Sequence, residues 1–264
     1  MRYLVLIKQV PLSSNVAIDE KTGTIKRESG EAKMNPYDLY ALETALRLRE
    51  TYEGVVSVLT MGPPQAGSVV RESFMMGADE GFLLTDRAFA GSDVLATSYA
   101  LSQAIKHIGN IDLVICGKQT TDGDTAQVGA ECSEFLNIPC ISNVQRIIDV
   151  TETAITAECD TGTTVETVRV HLPALMSVEK DIWQPRLPSF KLMCATAQRP
   201  VKTLNLKDLA DTDERHYGLK GSPTQVVRMF PPEEKSDYEI WNEENLGERL
   251  YQYLVSEKFL QESV

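Results

Sequence analysis

The sequence is poor in cysteine, histidine and basic residues, and each shortage excludes a class of protein. Its five cysteines, Cys116, Cys132, Cys140, Cys159 and Cys194, are odd in number and widely spaced, with no CxxC pair. That excludes a disulfide framework and the usual zinc or iron–sulfur signatures, so the thiols are expected to be reduced and mostly structural, and no metal site is assigned. Lys and Arg number 26 against 38 Asp and Glu, a net charge of −12. This surplus of acid argues against nucleic-acid binding and against an anionic membrane surface, both of which need cationic contacts. The three histidines, His107, His171 and His216, fall in separate segments. No sequence pattern supports a His–Cys or His–Ser set around them, and no catalytic residue is assigned. Neither GxxxxGK[ST] nor GxGxxG occurs, which removes the P-loop and the standard dinucleotide fingerprint. The apolar run Tyr3 to Ile7 is too short for a signal-peptide core, and no later run approaches the roughly 20 residues of a membrane span. A cytoplasmic protein is expected.

What is present is an alternation of short β-rich runs with helical periods. The runs Tyr3–Ile7, Val55–Thr60, Gly81–Leu84 and Asp112–Cys116 read as strands. Between them Leu39, Leu42 and Leu46, and later Val94, Ser98, Leu101, Ile105 and Ile108, recur at helical spacing. Asn35-Pro36 and Ser92-Asp93 mark helix starts. The expected fold class is α/β: a doubly wound, mostly parallel sheet of adenine-nucleotide-binding type, spanning residues 1–222. A β-hairpin excursion is expected over about 144–170, and Ala174–Val178 is read as a strand rejoining the main sheet. Trp183 to Phe190 carries two prolines and reads as a loop. The tail, residues 223–264, contains Pro223, Pro231 and Pro232 and then a helical period at Leu250, Leu254 and Lys258. Such an arm either wraps a partner or returns to its own sheet.

The richest chemistry lies in Gly117-Lys118-Gln119-Thr120-Thr121-Asp122-Gly123-Asp124-Thr125-Ala126-Gln127-Val128, between a strand and a helix. Ligands of open α/β sheets bind there, outside the carboxyl ends of the strands. Asp124 is expected to cap the helix and to leave the N–H groups of Thr125 to Val128 facing outward, where the helix dipole favours a diphosphate. Gly123 allows close approach, and Thr121 and Thr125 offer hydroxyls. Asp122 and Asp124 would repel phosphate, so they are expected to cap or to accept from ribose. A lone Gly-Asp turn would read as a capped turn and nothing more, but the whole run of small and polar residues favours a ligand. Asn35-Pro36-Tyr37-Asp38 could border an adenine, and Met61-Gly62-Pro63-Pro64 follows the second strand. Redox work by such a chain would have to be carried by a cofactor.

These motifs bring out a likeness that runs over essentially the whole chain. Lys8-Gln9-Val10-Pro11, Met34-Asn35-Pro36-Tyr37-Asp38, Met61-Gly62-Pro63, Met76-Gly77-Ala78-Asp79, Asp112 to Gln119, Asp122-Gly123-Asp124 with Gln127, Leu172-Pro173-Ala174 and Pro185-Arg186 stand in the order and spacing of one family. The sequence resembles the beta subunit of electron-transfer flavoproteins. The resemblance implies a larger alpha-subunit partner and a pocket, at Leu6, Asn35 to Asp38, Met61 and Gly117 to Val128, that holds either structural AMP or FAD. The segment Thr85 to Ser98 is similar to the electron-bifurcating group, which implies FAD, with Gly91, Ser92, Asp93 and Thr97 opening a helix near the diphosphate or ribityl part. A well-capped surface helix is the plainer reading of those four residues.

For the bifurcating group the family implies NADH as electron donor, ferredoxin or flavodoxin as one acceptor, and a flavin-dependent dehydrogenase or reductase as the other. Enoyl-CoA and caffeyl-CoA reductases and a lactate dehydrogenase all suit it. The chain is then one subunit of an oxidoreductase complex and not a stand-alone enzyme. Its segment at about 183–198 aligns with the family's docking loop, with Pro185, Arg186 and Phe190 as the candidate contacts, and Phe190 is expected where a leucine is usual. The arm 223–264 is expected to wrap the alpha subunit. A nucleotide-binding regulatory module of universal-stress type is the rival reading, and it leaves everything after Val144 unexplained.

Overall fold

Tyr3 and Val5 point to one side of the first strand, Leu4 and Leu6 to the other, and all four are buried. A two-residue period buried on both faces is what a central strand of a helix-covered sheet requires. The computed structural model describes residues 1–12, 32–226, 238–242 and 245–260. Two units are present, Met1–Val227 and Arg228–Val264.

The first strand, β1 (Arg2–Leu6), is followed by an antiparallel ribbon of β2 (Gln9–Pro11) and β3 (Ala32–Met34), and then by α1 (Pro36–Tyr52). The chain continues as β4 (Val55–Met61), α2 (Gly67–Met76), β5 (Glu80–Leu84), α3 (Val94–Ile108), β6 (Leu113–Gly117) and α4 (Val128–Leu136). Next come β7 (Cys140–Val150), β8 (Ala154–Asp160), β9 (Val165–His171) and β10 (Ala174–Val178). The first unit ends with α5 (Phe190–Thr196), β11 (Lys202–Leu204) and the short α6 (Gly218–Gly221).

Among the described residues one nine-stranded sheet runs in the order β11-β5-β4-β1-β6-β10-β7-β8-β9. Every pair from β11 to β7 is parallel, while β8 and β9 extend the sheet antiparallel. The chain builds outward from β1 through β4 to β5, then returns across the sheet to place β6 on the other side of β1. The order therefore reverses between β1 and β6, and a crevice forms at their carboxyl ends. Helices α1 and α2 cover one face through Leu42, Ala45, Leu46, Val70 and Phe74; α3 and Cys132 of α4 cover the other through Leu101, Ala104 and Ile105. The leucine, isoleucine, valine and phenylalanine side chains among these contribute about 1.5–3 kcal/mol each on full burial, which locks both helix layers to the sheet.

The doubly wound expectation holds, with three refinements. The excursion is broader than a hairpin: β7 starts inside the main sheet beside β10 and runs on into the antiparallel pairing with β8, its register shifting once against β10 and twice against β8. Strand β10 does rejoin the sheet, between β6 and β7. The segment expected as a loop over 183–198 contains α5, whose start is capped by Ser189 accepting from the Leu192 N–H, and β11, which pairs with β5, was not foreseen.

In the second unit, α7 (Leu246–Ser256) lies where the tail's helical period put it, and none of its residues is buried. Pro231 and Pro232 lie outside the described residues. No described helix is long and apolar enough to cross a membrane.

Candidate functional site

The reversal point is built around one buried amide. Asn35 is fully buried. Its side-chain N–H donates to the Gln119 carbonyl at 2.9 Å, its side-chain oxygen accepts from the Thr121 N–H at 3.2 Å, and its backbone N–H donates to the Lys8 carbonyl at 2.8 Å. One residue thus ties the loop after β6 to the loop after β1. Asn35 stands at the N-cap position of α1, but its side chain makes no capping bond there. The expected cap is overridden because the amide serves the loop instead.

Three residues on, Asp38 is buried, with Oδ2 accepting from the Lys8 N–H at 2.7 Å. Burial pushes its carboxyl up to about 7, against hydrogen bonds from Asn35, Lys8 and Gly117 that favour the ionised form. A β-carbon on Gly117 would stand 2.6 Å from the Tyr37 carbonyl carbon and 2.7 Å from Asp38 Oδ1, so only glycine fits. Pro36 and Tyr37, in the first turn of α1, are half-buried, as is Met61 at the end of β4; Leu6 ends β1 inside the core under α3.

The loop from Gly117 to Gln127 differs from expectation in one respect that improves it. Asp124 does not cap α4: it lies three residues before the N-cap residue Gln127, takes φ +52° and accepts from the Gln119 amide. Helix α4 begins at Val128 with no side-chain cap. Ala126 also has a positive φ, +56°, and Gln127 returns to the right-handed region. Such alternation turns successive N–H groups toward one side, as in anion-binding nests. Among the described residues the N–H groups of Thr125, Ala126, Gln127 and Val128 donate to no protein acceptor. Thr121 to Gln127 are exposed, while Lys118, Gln119 and Thr120 are half-buried. Gly123 closes the turn by donating its N–H to Thr120 Oγ1.

Of the two acidic residues of this loop, Asp122 is paired with a cation and Asp124 only accepts from the Gln119 amide. Lys8 Nζ pairs with Asp122 at 2.7 Å. Burial would raise the Asp122 carboxyl, but Lys8, Thr120 and the Gly123 N–H together hold it below its ordinary value. Lys118 is likewise engaged by Glu179 at 2.6 Å. With both lysines paired, the attraction for an anion comes from backbone dipoles at the start of α4. Sequence reading overlooked Lys8 as a site residue, although two aspartates beside an anion seat already called for a counter-charge.

The Ser92-Asp93 start signal of α3 holds at Asp93, while Gly91 and Ser92 lie ahead of the helix. The helix is opened by Asp93, which accepts from the Ala96 N–H at 3.0 Å, and not by Gly91-Ser92. Leu219 lies over Gly91, 2.6 Å from where its β-carbon would be, and Gly91 has φ +73°. Ser92 Oγ donates to the Phe89 carbonyl. Asp93 is held by the chain's own later segment: its N–H donates to Ser222 Oγ, and its second oxygen accepts from the N–H and hydroxyl of Thr224. Thr97 is half-buried in the second turn.

On the opposite side of α1, Arg186 faces inward and binds Glu43 and Glu50. Pro185 is half-buried. Phe190, 76% exposed, is displayed as expected, and Leu187, 86% exposed, still more so. Leu187 was missed because sequence reading looked for a single anchor.

A reversal of strand order in a parallel sheet, with unpartnered N–H groups at the helix start beside it, defines a doubly wound α/β protein. The model of the electron transfer flavoprotein domain matches residues 22–209. The chain is 43% identical over 258 residues to an electron transfer flavoprotein subunit beta of Thermoanaerobacterium thermosaccharolyticum, covering 95% of this chain and 98% of the relative. It is 41% identical over 242 residues to the caffeyl-CoA reductase-Etf complex subunit CarD of Acetobacterium woodii, covering 91% of each. Against Protein FixA of Bradyrhizobium diazoefficiens the identity is 40% over 243 residues, 90% of this chain and 84% of the relative. The chain belongs to the electron transfer flavoprotein family, as a beta subunit.

Proposed function

We propose that this beta subunit holds FAD and serves an electron-bifurcating complex in the cytoplasm. The row of four unpartnered N–H groups from Thr125 to Val128 carries this reading, because a pyrophosphate supplies the acceptors that those groups lack. Thr121, Thr125 and Asp124 would meet ribose oxygens, while Leu6, Asn35 to Asp38 and Met61 would border the adenine. Gly117 to Thr120 form the wall between them. Bound FAD supplies hydride acceptance from NADH and one-electron delivery; the chain binds, orients and tunes it. The likeness of Thr85 to Ser98 to the bifurcating group supports the assignment, with ferredoxin or flavodoxin as one acceptor.

Partners follow from the same reading. An alpha subunit is expected against the arm 223–264, whose helix α7 buries no residue in its own unit. A flavin-dependent dehydrogenase is expected at Leu187 and Phe190, and the name of the CarD relative suggests a reductase of CoA thioesters.

One observation favours structural AMP instead. Residues Leu219, Ser222 and Thr224 cover Gly91 and Asp93, the very positions that an FAD would need. Nucleotide content of the denatured alpha–beta complex separates the two: about two FAD per heterodimer supports bifurcation on the family analogy, and one FAD with one AMP selects the plain electron carrier.

A further inference from the structure

We propose that Glu43 is a positioning residue that aims the exposed Leu187–Phe190 tip through Arg186. The proposal rests on the docking reading above. Glu43 lies in the middle of α1, its side chain 1% exposed. A carboxylate so placed is costly unless fully met by donors. Here it is met by Arg186 Nε at 2.7 Å, Arg186 Nη2 at 3.0 Å, the Arg186 N–H at 3.1 Å and Arg47 Nε at 2.8 Å. The remaining Arg186 arm reaches Glu50 at 2.8 Å.

The residue after this fork is Leu187, the most exposed large apolar side chain of the chain's described residues. Two residues later the Ser189 N–H donates to the Met75 carbonyl at the end of α2, at 2.9 Å. Leu187 and Pro188 are therefore held between two fixed points, and Phe190 follows directly on the second as the first residue of α5. An apolar pair at positions 43 and 186 would bury as well but would leave the tip free to turn; a fork on a carboxylate sets its direction. Helix α1 also carries Asn35 and Asp38, which hold the loop of the anion seat. Asp38 and Glu43 are five residues apart on one helix, about 7.5 Å along its axis. The tip and the seat thus have a common rigid mount.

The test uses the complete alpha–beta complex with a caffeyl-CoA reductase as electron acceptor, comparing Glu43→Gln and Arg186→Lys with the parent. Both substitutions are expected to raise the KM for the reductase at least tenfold, since a misplacement of about 1 Å can cost as much as about a hundredfold. The kcat at saturating reductase and the flavin content should not change, and tryptic cleavage between residue 186 and Leu187 should accelerate. Unchanged cleavage in both variants overturns the positioning role. Faster cleavage with an unchanged KM overturns the docking reading beneath it. Loss of flavin together with the rise in KM reduces the pair to a packing role and also overturns the proposal.

Discussion

The carboxylate of Asp38 sits directly under Gly117, with Oδ1 2.7 Å from where a β-carbon on that glycine would be. The Tyr37 backbone closes the other side at 2.6 Å, so neither neighbour can withdraw without unwinding the start of α1. Gly117→Ala should therefore cost about 1–3 kcal/mol in stability and displace the Gln119–Thr121 stretch that Asn35 holds. Chemical denaturation of the complex and its nucleotide content measure the two effects.

Asp38 also makes stability depend on pH. Its carboxyl is raised from 3.8 to about 7 by burial, so between those values the folded chain binds a proton that the unfolded chain has lost. Stability is full below the unfolded value and declines as pH rises toward 7. Asp38→Asn removes this group's contribution, so the difference in unfolding free energy between parent and variant should shift in the variant's favour across that window. A difference that stays flat with pH would show that Asp38 remains ionised.

Lys8 balances Asp122 beside the anion seat. Lys8→Met leaves that carboxylate unopposed, and nucleotide affinity should fall about threefold to tenfold, a modest loss because both groups are partly exposed. Adding Asp122→Asn should restore most of it. Titration calorimetry with AMP on nucleotide-stripped complex gives the comparison.

Ala126 holds a left-handed conformation without being glycine. That conformation costs roughly 1–2 kcal/mol for an L-residue, and a glycine gives back about 0.5–1 kcal/mol in unfolded-chain entropy. Ala126→Gly should thus be neutral or stabilising by about 0.5–1 kcal/mol, whereas glycine in an ordinary exposed loop gains nothing. Equilibrium urea unfolding measures it.

Leu187 and Phe190 stand largely in solvent. Leu187→Ala and Phe190→Ala should leave thermal unfolding unchanged while lowering electron delivery to a dehydrogenase about tenfold or more each, as anchors of a small interface do. Reduction of the bound flavin by NADH should be unaffected. Unaltered delivery in the double variant removes the tip from the docking role.

Much of this molecule could be read without coordinates. Leu39, Leu42 and Leu46 announce α1, and the run from Asp112 to Cys116 announces a strand, because their periods are set by neighbours a few residues away. Gly117 to Val128 stood out for the same reason: glycine, threonine and aspartate between a strand and a helix have few structural uses. The details that failed were those of partnership. Asp124 was a sound cap by local rules, yet it binds Gln119; and nothing in the sequence pairs Arg186 with Glu43, a carboxylate 143 positions away.

Short-range period and residue chemistry were enough to read the layered α/β class, the chief strands and helices, and a polar loop between β6 and α4. It took the assembled fold to show that Asn35 clamps two loops, that Lys8 pairs with Asp122, and that Leu219 and Thr224 cover the start of α3. Apart from the Asn35–Lys8 bond, the hydrogen bonds and ion pair among these join residues separated by between 84 and 131 positions. A side chain can satisfy its hydrogen-bonding capacity with any suitable group that the fold brings near, and which group that is depends on how the strands are ordered in the sheet.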